Sequence, residues 1–223
     1  MTVKLFFSAI TKFLLGVLLV ALLIFGSAGT LIYANGWLLM GLLFVPMFIA
    51  GLVMMAKNPE LLRKRLNAKE KQREQDAVVK LSALMFMSNF ILAGLGVRFD
   101  WYVLPRGVVI AACVLFLIAY ALYAEVLREN TYLSRTIEVQ EGQRVIDSGL
   151  YGIVRHPMYS ATLLLFLSMP LVLGSPLSFL ILLVYPPLIA KRIKGEEALL
   201  EKELEGYREY KQRIKYRLIP FIW

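Results

Sequence analysis

Between Phe13 and Ala56 the chain carries no Asp, Glu, Lys or Arg. A helix needs about 20 apolar residues to cross roughly 30 Å of hydrocarbon. Inside hydrocarbon every backbone N–H and C=O must also be bonded within the segment, which a helix achieves by itself. The break at Tyr33-Ala34-Asn35-Gly36 divides the run into two such lengths, so it reads as a helical hairpin. A cleavable signal peptide is the rival reading of the first length, but its apolar core is too long and a second span follows at once. The whole chain agrees with the local feature: 59% of its 223 residues are hydrophobic and its mean hydropathy is +0.66, above the usual share of a soluble domain. The sequence is that of an integral membrane protein.

Two further spans are predicted, Val79 to Val97 and Pro105 to Glu125, joined by the short aromatic loop Arg98-Phe99-Asp100-Trp101-Tyr102, whose rings suit the headgroup level. From Tyr159 to Ala190 the chain is again uncharged, but Leu173-Gly174-Ser175-Pro176 interrupts it and leaves halves that are short for independent spans. This segment is either a tight helical hairpin or one broken span. Lys57, Arg63, Lys64, Arg65, Lys69, Lys71 and Arg73 fall between spans two and three, and cytoplasmic loops carry the excess of such residues. Both termini and the Arg128 to Arg155 segment are then cytoplasmic. Topology and attraction to anionic lipid account for the formal charge of +9, with no need of nucleic acid as a partner. Cys113, the single cysteine, has no disulfide partner, belongs to no metal-binding set and reads as a packing residue. The Asn58 to Asp76 loop mixes both charge signs at helical spacing, as a solvated helix on the headgroups would.

Polar residues are sparse before Glu125 and dense after it, so residues 1–125 read as scaffold and 126–223 as the functional region. The segment Asn130 to Arg155 is too polar for lipid and too short for a domain, and it should fold over the mouth of the bundle. His156, the only histidine, precedes Pro157, which disfavours a helical His156 and itself suits the first turn of a helix. Residues His156 to Tyr159 are therefore a loop-to-helix junction, with unpaired amides able to receive an anionic or carbonyl group. The same residues also fit an ordinary helix start with interfacial tyrosines and a snorkelling Arg155. Further on, Arg192 and Glu196 are spaced to share a helix face, with Glu197 adjoining, just past the last apolar residue. That pair is either a surface ion pair or, if the interrupted segment folds back, part of a half-buried pocket shared with His156. Leu200, Leu204, Tyr207, Ile214 and Leu218 recur at helical spacing, predicting an amphipathic C-terminal helix that lies on the bilayer or closes the pocket.

The runs "DSGLYGIVRHPMYSA" and "RIKGEEALLEKELEGYREYKQRIKYRLIP" resemble the isoprenylcysteine carboxyl methyltransferase family and its phospholipid methyltransferase relatives. The likeness covers the chain from Gln140 onward, and its two separated motifs, RHP-x-Y and R-x-x-x-E-E, stand in the family's order. It implies an all-α, polytopic transmembrane bundle of about five to six membrane helices, the last a helical hairpin, with a cytoplasmic cofactor-binding linker and the amphipathic C-terminal helix. It also implies an S-adenosyl-L-methionine-dependent methyltransferase without a glycine-rich doubly wound fold. Carried onto this chain, the cofactor contacts are Gln140, a strand-like Gln143-Arg144-Val145-Ile146, Tyr151, His156, Pro157, Met158, Tyr159 and Glu196. Glu196 stands near the methionine ammonium, and Arg192 faces the methyl acceptor as the catalytic and substrate-binding residue.

The chemistry of those residue types is consistent with the implied roles. A glutamate suits an ammonium, helix-start amides suit a carboxylate, and tyrosine or aliphatic walls suit adenine. An acceptor carboxylate is already ionised at neutral pH, so it needs no general base, and a guanidinium can hold it through two hydrogen bonds. The expected partner is accordingly a lipophilic methyl acceptor from the bilayer, with membrane lipids around it and neither metal nor nucleic acid. Still open are a phospholipid amine or small thiol as acceptor, and a non-enzymatic scaffold or transport protein of the same fold. Transport would ask for ionisable groups in mid-span, and spans one to four show none between their ends.

Overall fold

The computed structural model describes residues 3–66, 73–133 and 137–223, with no side-chain description for 73–75. Lys69 and Lys71 lie outside the described residues, as does the side chain of Arg73. Among the described residues every regular element is helical: α1 (Val3–Ala21), α2 (Ala34–Lys57), α3 (Pro59–Leu66), α4 (Arg73–Arg98), α5 (Arg106–Glu129), α6 (Pro157–Val172), α7 (Pro176–Leu182), α8 (Tyr185–Glu203) and α9 (Tyr207–Arg213). Five stretches are long and apolar enough to cross a membrane: Val3–Gly26, Ala34–Lys57, Asp76–Arg98, Arg106–Glu129 and Pro176–Glu203. Their outward faces keep Leu18, Val45, Leu84, Ile110, Leu117 and Leu180 exposed, a surface that only lipid makes tolerable. The molecule is a polytopic helical bundle.

Two cores hold it. One gathers Ile24, Leu39, Phe44, Phe90, Phe116, Ala119, Val172 and Leu173 where α1, α2, α4, α5 and α6 meet, with Cys113 packed at its margin. The other joins Met85, Tyr159, Leu182, Tyr185, Ile189 and Ile193 from α4, α6, α7 and α8. α4 contributes to both.

The interruption at Leu173 to Pro176 is a reversal. Gly174 takes φ +73°, Ser175 caps α7 by accepting from the Ser178 amide at 3.3 Å, and α7 and α8 run back so that Arg192 meets Tyr159. The turn is fastened at its end of the bundle: the Leu104 amide donates to the Gly174 carbonyl at 2.9 Å and the Tyr33 hydroxyl to the Leu173 carbonyl at 2.6 Å. A Cβ on Gly174 would stand 2.8 Å from Asn35 Nδ2 and 3.0 Å from Val103 Cγ1. Gly174→Ala is therefore expected to cost about 1–2 kcal/mol from the left-handed backbone alone, read as a lowered thermal midpoint in detergent.

At the opposite end, α3 is less solvated than its charge pattern suggests. Leu61 and Leu62 are buried, Leu62 against Leu5 and Met55, while Lys64 Nζ donates to Gln140 Oε1 at 2.5 Å. The amphipathic tail is divided instead of continuous. α8 stops at Glu203, Gly206 turns the chain with φ +80°, α9 lasts two turns, and residues 214–223 are not helical. A glycine in the left-handed region ends a helix whatever the side-chain periodicity beyond it.

Candidate functional site: a cavity between linker, hairpin and tail

Three elements converge at the α3 end. The linker leaves α5 through Asn130, whose Oδ1 accepts from the Tyr132 amide at 2.9 Å and whose Nδ2 donates to the Tyr151 hydroxyl at 2.9 Å. It turns at Gly142, passes without regular structure from Gln143 to Ile146, and turns again at Gly149, φ +54°. A Cβ at Gly149 would lie 1.5 Å from Glu129 Oε1, because the Glu129 carboxylate reaches over to accept the Leu150 amide at 3.1 and 3.2 Å. Close approach makes glycine the residue that fits here.

The tail then straps the junction. The amides of Arg155 and His156 donate to the carbonyls of Tyr216 and Arg217, each at 2.9 Å, and Arg155 Nη1 donates to the Ile214 and Lys215 carbonyls at 2.6 and 2.8 Å. The Tyr159 amide closes a first turn onto His156 at 3.0 Å. The expectation of free helix-start amides from His156 to Tyr159 therefore fails at His156 and Tyr159, since a distant backbone carbonyl occupies the first and a local turn the second. Arg155 does not snorkel. It is 6% exposed, and its Nε donates to Glu197 Oε1 at 2.8 Å.

Glu197 is the hub of this end. Its carboxylate also lies 3.2 Å from His156 Nε2 and accepts from Arg217 Nε at 3.0 Å, while the residue itself is 3% exposed. Three residues, Arg155 and His156 at the linker's end and Arg217 in the tail, are thus tied to one buried charge on α8. The tie is reinforced by the Asp147–Arg213 ion pair and by the Tyr210 hydroxyl, which donates to the Tyr151 carbonyl at 2.8 Å.

One turn earlier on another face, Arg192, Tyr159 and Glu196 form a second polar set. The Tyr159 hydroxyl donates to Glu196 Oε2 at 2.6 Å and accepts from Arg192 Nε at 3.0 Å. Arg192 is 9% exposed and Glu196 half-buried. The phenol fixes the relative position of a guanidinium and a carboxylate, and all three face one cavity that opens to solvent, of about 860 Å³ with the solvent in its mouth included.

Of the residues read from sequence, Gln143, Arg144, Val145, Ile146, Tyr151, His156, Met158, Tyr159, Arg192 and Glu196 line this cavity. Gln140 and Pro157 are not in its wall. Gln140 is occupied by Lys64, the Tyr132 carbonyl and Gln143, and Pro157 is buried in the first turn of α6. The strand-like reading of Gln143 to Ile146 is corrected to a segment with no regular secondary structure. Sequence reasoning missed as lining residues Asn130, Tyr132, Leu133, Ile137, Glu138 and Arg155 on the linker, and Leu200, Leu204, Tyr207 and Tyr210 from α8 and the tail. The apolar stripe Leu200, Leu204, Tyr207 was visible, but which side of the pocket it would close was not.

Residues 107–202 match the model of the Isoprenylcysteine carboxyl methyltransferase (ICMT) family, a region running from α5 through the linker and hairpin to α8. The Delta(14)-sterol reductase TM7SF2 of Mus musculus is 33% identical over 91 residues, 40% of this chain and 22% of that protein. The Delta(14)-sterol reductase of Methylotuvimicrobium alcaliphilum is 29% identical over 93 residues, again 40% of this chain and 22% of that protein. The chain spans about a fifth of the length of these curated relatives. The family likeness read from the RHP-x-Y and R-x-x-x-E-E motifs holds over the matched region, which contains both.

Proposed function

We propose that this protein is an integral-membrane methyltransferase that takes its methyl group from S-adenosylmethionine and passes it to a lipophilic acceptor, with the carboxylate of a prenylcysteine-like molecule as the favoured class. The observation that carries the reading is the Arg192–Tyr159–Glu196 set facing a cavity at the polar end of the bundle, within the region that carries the ICMT pattern. The family match supports a membrane methyltransferase. The positive residues Lys57, Arg63, Lys64 and Arg65 at the same end favour a cytoplasmic site, where a water-soluble donor is available.

The donor set suits the donor molecule. Glu196 offers a carboxylate to an ammonium, and Arg144 stands in the wall for a carboxylate, in place of the amides the tail has taken up. Leu133, Ile137, Val145, Leu200 and Leu204 give apolar walls for a purine. Bound there, S-adenosylmethionine would supply an electrophilic methyl group on a sulfonium. Arg192 would hold an acceptor carboxylate by its guanidinium, and Tyr159 would keep that guanidinium at a set distance from Glu196. No residue need remove a proton from an acceptor that is already anionic. The tail, closing over the cavity, would exclude water and favour the loss of charge as the bond forms.

Isothermal titration with S-adenosylmethionine in detergent tests this. Wild type should bind, and Glu196→Gln should weaken binding about tenfold, the ~1.4 kcal/mol of one ionic contact. Absence of binding by folded protein, or a variant indistinguishable from wild type, would overturn it. Radiolabelled donor offered with total membrane lipid and a synthetic prenylcysteine would then identify the acceptor by the fraction that gains label. A second reading comes from the names of the two relatives, which are reductases: the cavity would then hold a hydride donor. Reduced nicotinamide dinucleotide titrated in parallel separates the two, since each reading expects binding of only one ligand.

A further inference from the structure

Tyr207 opens α9 directly after the left-handed Gly206, and its ring is fixed between Tyr210, whose centroid lies 5.7 Å away, and a cluster formed with Leu204, Val145 and Ile214. The residue is 4% exposed and lines the cavity, yet its hydroxyl is shut off from bulk water and has no hydrogen-bond partner among the described residues. Buried hydroxyls are almost always paired, so an orphan in a cavity wall points to a partner that arrives with a ligand. Burial first, then the charges of Glu197 and Glu196, push this phenol well above its ordinary pKa, with Arg155 opposing them. It therefore stays un-ionised at any working pH and presents lone pairs in a region where the two carboxylates attract positive charge.

Resting on the S-adenosylmethionine reading above, we propose that the Tyr207 hydroxyl is a second holder of the donor's ammonium, accepting a hydrogen bond from it while Glu196 supplies the opposite charge. An ammonium has three donors and no acceptor, so it needs more than one oxygen around it. Glu196 already spends part of its capacity on the Tyr159 hydroxyl. Tyr207 Oη is a buried oxygen on a wall residue with no partner among the described residues. The tail would thus do more than cover the cavity. It would bring in a binding group.

The test is a double-mutant cycle on S-adenosylmethionine affinity, measured by isothermal titration for wild type, Tyr207→Phe, Glu196→Gln and the double variant. Tyr207→Phe should weaken binding about tenfold. The double variant should lose clearly less than the product of the two single losses, because both groups hold one ammonium. The ligand-free thermal midpoint of Tyr207→Phe should not fall below wild type, because the deleted hydroxyl has no partner among the described residues to lose. Equal affinity of Tyr207→Phe and wild type overturns the proposal, and so do losses that simply multiply. If wild type itself fails to bind, or Glu196→Gln changes nothing, the donor reading fails instead.

Discussion

Glu197→Ala is expected to destabilise the protein by about 3–5 kcal/mol, the usual cost of removing one partner from a buried ion cluster. The reason lies in what would remain. Arg155 is 6% and His156 5% exposed, and both turn toward the Glu197 carboxylate, as does Arg217 from the tail. Without that carboxylate, two guanidiniums converge with no negative charge between them, and their mutual repulsion opposes the strap that joins linker to tail. The Arg155 bonds to the Ile214 and Lys215 carbonyls and the main-chain pairs Arg155–Tyr216 and His156–Arg217 would have to hold the strap against that repulsion. Thermal unfolding in detergent should show a midpoint lowered on the order of 10 °C. Glu197→Gln, which keeps two hydrogen-bonding heads but not the charge, should fall between the variant and wild type. A shift of the alanine variant within error would show that the cluster does not fasten the tail.

The neighbouring carboxylate should behave in the opposite way. Glu196 is half-buried, bonded to Tyr159 at 2.6 Å and turned to the cavity, so Glu196→Gln should leave the midpoint nearly unchanged while it weakens the ligand. Two adjacent glutamates then separate into one that holds the fold and one that serves the ligand. This is also where the sequence stopped being legible. The pair R-x-x-x-E-E announces a guanidinium and a carboxylate on one helix face, and that much holds. Consecutive residues on a helix point about 100° apart, and no local rule says which of two glutamates meets a cluster assembled from residues 155, 156 and 217. The partners are too distant along the chain.

The same distinction runs through the rest of the fold. The spans were legible because hydrocarbon imposes a length and excludes charge over whole segments. The hairpin turn was legible because glycine and proline interrupt an otherwise unbroken apolar run. The consumed amides at Arg155 and His156 were not, since their acceptors are main-chain carbonyls at Tyr216 and Arg217, which carry no side-chain signature. The apolar stripe of the tail suggested one helix, yet Gly206 at φ +80° divides it and turns Tyr207 into the cavity wall. Periodicity reports the face that is buried, and it does not report where the backbone bends.

Gly94 shows the same limit inside a span and gives the second large effect. Glycines are ordinary in membrane helices, and nothing in the sequence separates Gly94 from Gly41 or Gly51. In the fold, α1 continues into a π-helical turn, Leu22–Gly26, and the Ser27 hydroxyl bonds back to the Leu23 and Ile24 carbonyls at 2.5 and 3.1 Å. Gly94 of α4 presses against that turn. A Cβ there would sit 1.9 Å from Ser27 Oγ, 2.4 Å from the Ile24 carbonyl oxygen and 2.9 Å from the Ala28 nitrogen. Ser27 could rotate away, but the other two are backbone atoms, so the helices themselves would have to part. Overpacking usually costs about 1–3 kcal/mol and more where backbone must move, so Gly94→Ala is expected at or above the upper end. The damage should extend beyond the contact, because α4 also places Met85 in the core under Tyr159 and Tyr185. A lowered midpoint should therefore come with weaker ligand binding at the far end of the bundle. Gly41→Ala is the control: a Cβ there meets nothing within 4 Å, so the same methyl group should leave both midpoint and affinity at wild-type values. If both alanine variants match wild type, α1 and α4 do not pack as closely as described, and the second core does not depend on that contact.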